Sequence, residues 1–129
     1  MKIKTAISVG ELLDKISILK IKSKKITNKE KLLNISIELS ELMSVCDEEL
    51  SSYKNCNEMI DELEFINTEL WEIEDEIRKQ ENKKDFNEKF IALARSVYIT
   101  NDKRFDIKNK INQECGSIIK EEKSYEQYQ

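Results

Sequence analysis

Residues 59–77 read MIDELEFINTELWEIEDEI, and their spacing decides the fold class. Met59, Leu63, Ile66, Leu70, Ile73 and Ile77 recur at alternating steps of four and three. That rhythm lines one helix face with apolar side chains and leaves the acids on the other. It is the seam of a coiled coil or bundle, and it predicts a helix over about 57–81. Upstream, Leu32, Ile35, Leu39, Leu42, Cys46 and Tyr53 keep the same spacing, with Glu49 in the one polar slot. They predict a helix over about 28–52, opened by the capping-box pair Thr27 and Glu30.

Two more helices complete the set. Ser8 and Glu11 have capping-box spacing and open a helix over about 9–26, with Leu12, Leu13, Ile16, Leu19 and Ile26 on its stripe. Asp85 and Glu88 open the last, over about 86–114, which carries Phe90, Leu93, Val97 and Ile111 and stops at Gly116. Residues 3–7 form a short extended arm. Residues 117–129 form a polar tail whose Ile118, Ile119, Tyr125 and Tyr128 are expected to dock on the helices. Amphipathic helices joined by short polar loops make antiparallel neighbours. The expected architecture is all-α, an antiparallel four-helix bundle in one domain, residues 1–129, with an N-terminal arm and a polar C-terminal tail.

Composition agrees. In 129 residues there are two glycines and no proline, which argues against a hairpin-rich sheet. At 39% hydrophobic the chain can fill one core. No apolar run approaches the roughly 20 residues of a membrane span, and Met1–Thr5 holds no hydrophobic signal region. Cys46, Cys56 and Cys115 form no CxxC pair and histidine is absent. That fits a reducing cytoplasm, argues against a thiolate zinc site, and removes every imidazole-based nucleophile arrangement.

The net charge of −4 is unevenly spread. Residues 1–31 carry nine lysines against three acids, whereas residues 32–82 carry three bases against fifteen acids. Opposite blocks of this kind lie against each other or against a second copy, and a two-fold dimer is the simplest oligomer. Nucleic acid is a poor fit, because residues 1–52 offer neither arginine nor aromatic rings.

The fourth helix breaks its own seam. Along the stripe of Phe90, Leu93 and Val97 the next positions are Asn101, Arg104 and Lys108, with Arg95, Tyr98 and Asp102 beside them. Asn67, Trp71, Glu74 and Arg78 make a matching row on the third helix. All three arginines fall between residues 78 and 104, against nineteen lysines spread along the chain. Polar groups on a buried stripe must be paired or face a cavity. Two readings follow. Glu74, Arg78, Arg95 and Asp102 form an ion-pair network that sets bundle register. Alternatively Trp71, Glu74, Arg78, Arg95, Tyr98, Asn101, Asp102, Arg104 and Lys108 line a pocket for an anionic or sugar-like small molecule. A third reading takes Glu69, Glu72 and Asp75 as Mg²⁺ ligands of a MazG-like nucleotide pyrophosphatase. That pattern places its acid pairs on two helices, and here both sit on one. Outside that reading no cofactor is expected.

The stretches GELLDKISIL (10–19), LWEIEDEIR (70–78) and ARSVYITNDKR (94–104), with Gly116, Ser117 and Glu121–Tyr125, resemble an uncharacterised family of small bacterial and phage proteins. The likeness spans nearly the whole chain. Some relatives accompany glycosyltransferases, which implies a link to surface-sugar metabolism. The Lys-, Ile- and Asn-rich usage resembles that of an AT-rich genome such as a marine bacterium or phage.

Overall fold

A computed structural model describes residues 1–128; Gln129, the end of the expected tail, lies outside them. Among the described residues there are four helices and no strand: α1 (Val9–Lys25), α2 (Lys29–Glu49), α3 (Cys56–Asn82) and α4 (Glu88–Glu114). The all-α four-helix bundle is the observed class.

Helix ends follow local hydrogen-bond chemistry. The Ser8 hydroxyl accepts the Glu11 amide at 3.1 Å, as its spacing predicted. The other two side-chain caps sit elsewhere than expected. Asn28, not Thr27, accepts from the Lys31 amide at 3.0 Å, and Asn87, not Asp85, accepts from the Phe90 amide at 3.1 Å. Each asparagine stands one residue before its helix, where a short side-chain oxygen reaches the third amide. α2 ends at Glu49, short of the expected 52, because Leu50 turns into the core and Ser51 and Ser52 favour turns. Gly116 (φ +61°) closes α4, with the Ser117 amide donating to the Asn112 carbonyl at 2.8 Å.

α1 is the hub. It touches all three other helices, whereas α2 packs chiefly on α1, reaching α3 where Cys46 meets Cys56, and α3 pairs with α4. Leu13, Ile16, Ile60, Leu63 and Ile111 are the most deeply buried apolar side chains, and Cys46, Leu50 and Cys115 close that end of the core. Each such residue contributes about 1.5–3 kcal/mol by leaving water. The three thiols are free, and burial pushes all three upward in pKa. On α2 only Ile35 and Cys46 are buried, while Leu33 and Ile37 are exposed. α3 and α4 each run 27 residues, about 40 Å, against 17 for α1. Their hairpin therefore outruns the hub, and between residues 71 and 99 only Gln80 is buried.

The N-terminal arm is extended and exposed, tied to α2 by Lys2 and Glu41 at 2.9 Å. Among the described residues no helix is long and apolar enough to cross a membrane.

Candidate functional site

The two ends of the chain meet in a buried polar knot between α1, α3 and α4. Gly10 comes first because nothing larger fits: a Cβ there would stand 2.7 Å from the Lys108 carbonyl oxygen. Its amide donates to Asn112 Oδ1 at 2.7 Å. One residue on, Glu11 accepts from Lys108 Nζ at 2.8 Å. One turn further, Asp14 is 1% exposed and takes the Arg104 guanidinium on both oxygens, Nε at 3.0 Å and Nη2 alongside. Asn67 of α3 adds its amide to Asp14 Oδ1 at 2.8 Å and to Ser17 Oγ at 2.9 Å. The partners Gly10–Asn112, Glu11–Lys108 and Asp14–Arg104 run in opposite order along α1 and α4, so those helices are antiparallel.

Arg104, Lys108 and Asn112 on the buried stripe of α4 are explained by this knot and the tail. The hydrogen bonds it donates to Asp14 hold the Arg104 guanidinium above its ordinary pKa. Burial lowers the Lys108 ammonium, but bonds to Glu11 and to Glu121 of the tail outweigh it and the net direction is upward. Asn112 keeps one buried side-chain nitrogen without a partner. The sequence reading missed Gly10, Glu11, Asp14, Ser17 and Asn112. The signal was present as a polar row at steps of four and three, Gly10, Asp14 and Ser17, beside the apolar stripe of α1.

Against this knot lies a cleft of about 470 Å³. Ile18, Ile21 and Leu70 give it apolar walls, and Asn67, Trp71, Glu74, Asp75, Arg78, Asn101 and Arg104 the rest of its lining. Five of the expected pocket residues thus come together: Trp71, Glu74, Arg78, Asn101 and Arg104. Lys108 lies one turn beyond Arg104, in a second cleft of about 440 Å³ between α4 and tail residues 121–125. Asp102 and Tyr98 face the tail instead. Asp102 accepts from Lys123 and from the Tyr128 hydroxyl, and the Tyr98 and Tyr128 rings meet edge to face at 5.3 Å. Those bonds, Lys123 first, lower the Asp102 carboxyl, and the Asp102 acceptor raises the Tyr128 phenol to about 12.

Arg95 is exposed and makes no ion pair among the described residues. Glu74 and Arg78 pair only with each other, at 3.2 Å on the surface. Glu74, Arg78, Arg95 and Asp102 are therefore not joined in one ion-pair network. The tail is held by Ser117, Glu121, Lys123 and Tyr128, while Ile118 is 97% exposed and Tyr125 78%. Glu69 and Glu72 line a shallow groove with Lys24 and Glu64, whereas Asp75 opens on the separate cleft beside Trp71. No group of three or more metal-ligating side chains stands together among the described residues.

A model of a family of unknown function, DUF6165, matches residues 1–128. The chain belongs to that family. The DUF6165 match takes in α1 with its Gly10 and Asp14, the cleft residues of α3 and α4, and the tail as far as Tyr128. No curated protein and no solved structure matches this DUF6165 chain.

Proposed function

We propose that this protein binds a neutral, hydroxylated ring, sugar-like in chemistry, in the cleft between α1, α3 and α4. One observation carries the reading: both guanidinium groups of the cleft already hold carboxylates, Arg104 on Asp14 and Arg78 on Glu74. Among the described residues no unpaired cation lines the cleft to draw a phosphate in. What remains suits hydroxyl groups. The rims of Glu74 and Asp75 accept, the Asn101 amide donates and accepts, and the half-buried Trp71 indole offers a flat apolar face. Ligand pockets commonly combine apolar walls with a few convergent polar groups in this way. The likeness to bacterial and phage proteins that accompany glycosyltransferases points in the same direction, toward surface-sugar metabolism. The free thiols suit a cytoplasmic setting, and the charge blocks suit a two-fold dimer.

Trp71 is the only tryptophan, so its emission reports on the cleft directly. Titration with neutral monosaccharides and nucleotide sugars is expected to shift that emission and raise the melting temperature, and Asn101→Ala to weaken both responses. Emission and melting that stay flat across the sugars, or that respond to inorganic phosphate instead, overturn the reading.

A further inference from the structure

The outer half of the α3–α4 hairpin has no third helix over it. Ile73, Ile77, Phe90, Leu93 and Val97 continue the apolar seam past the end of α1 but are only half-buried. Phe86 and Ile91 are 54% and 56% exposed. Two helices alone cover one strip of each other, and a stable helical layer needs a further element against it. The hydrogen bonding there is also incomplete. Gln80 is 5% exposed and its side-chain oxygen has no donor.

The charge pattern says what fits. Residues 71–82, on α3, carry five acids against two bases, whereas residues 83–99, the turn and first half of α4, carry four bases against two acids. Arg78 pairs with Glu74, Lys79 and Lys89 with Glu76 and Lys84 with Glu81 inside the hairpin, which leaves Glu72 and Asp75 on α3, and Lys83 and Arg95 on the turn and α4, without ion-pair partners among the described residues. Such a surface complements itself when rotated by a half turn. We propose that this outer hairpin is the docking face for a second copy of the chain, with α3 of each copy lying against α4 of the other about a two-fold axis. An isologous contact of this kind puts acidic α3 on basic α4 twice over and buries the half-covered seam at its centre. The proposal deepens the two-fold dimer put forward above by naming the surface that makes it.

The test is sedimentation or light scattering of the full chain at high micromolar concentration, with circular dichroism to confirm helicity. The wild type is expected to be a dimer. Phe86→Lys combined with Ile91→Lys replaces two side chains that the single chain leaves exposed, so helicity is expected to hold while dimer affinity falls roughly tenfold or more. Arg95→Glu, at an exposed cation without an ion-pair partner, is expected to weaken the dimer without loss of helicity. A wild type that is monomeric throughout overturns both the dimer and this face. A dimer that survives the Phe86/Ile91 variant, or that is lost instead on Ile37→Lys in α2, keeps the dimer and overturns the face.

Discussion

Replacing Asp14 by alanine removes the centre of the knot. The side chain is 1% exposed and holds three hydrogen bonds, two from Arg104 and one from Asn67. Bonds to a charged group are each worth about 1.5–3 kcal/mol. They do not add in full, because the Arg104 side chain is 28% exposed and can turn partly to water. Breaking a buried pair by losing one partner costs about 3–5 kcal/mol, so the expected loss is near the lower figure, about 3 kcal/mol. Against a total of roughly 5–15 kcal/mol, at about 4 °C per kcal/mol for a chain of this size, melting falls by about 10–15 °C. Molar salt leaves the difference in place, since a carboxylate out of solvent is little screened. Asp14→Leu combined with Arg104→Met recovers most of it, as apolar replacements of buried pairs are often neutral. Calorimetric melting of the three proteins decides. If Asp14→Ala melts within about 3 °C of wild type, on that same scale, the knot does not hold the helices together.

Gly10→Ala tests the close approach of α1 and α4. Alanine gains about 1 kcal/mol of helix propensity, but its Cβ would meet the Lys108 carbonyl oxygen at 2.7 Å. Overpacking costs about 1–3 kcal/mol, so denaturant melts should show net destabilisation, and a more stable variant would contradict the geometry. The tail clamp predicts loss at both ends of the pH scale. Asp102 is lowered, so its contribution is present above the ordinary value of 3.8 and fades as pH falls through the depressed one. Tyr128 is raised, so its contribution is present below 10 and fades as pH rises toward about 12. Tyrosine absorbance should show one phenol titrating late, absent in Tyr128→Phe; identical curves would remove the clamp.

The seams of α3 and the Ser8 cap were legible because a helix with one buried face writes that face at steps of three and four. α1 hid half its meaning for the opposite reason. A helix enclosed by three neighbours has little solvent side, so Asp14 and Ser17 lie off the apolar stripe and yet are buried. Their partners lie 53 and 90 positions away for Asp14, on Asn67 and Arg104, beyond any local pattern. Arg104 and Lys108 were legible as groups needing partners, since charge on an apolar stripe is costly. Which carboxylates would answer was not. α2 misled in the other sense. Its seam is as regular as that of α3, yet it packs almost wholly on α1, and periodicity records a face without recording what covers it.

Every bond of the knot between α1 and α4 closes a loop of about ninety residues or more: Asp14 to Arg104, Glu11 to Lys108, Gly10 to Asn112, Val9 to Ser117. On the ribosome α1 precedes α4, and its Gly10, Glu11 and Asp14 wait for Asn112, Lys108 and Arg104 until α4 is out. Loop closure on that scale is slow relative to local pairing. Until then only α2 and α3 cover the leucines of α1, and the nascent chain is a three-helix fragment with one face bare. The hub of the finished molecule is thus the segment that waits longest for its partners, and a chain cut before residue 104 would lack the group that neutralises its most buried acid.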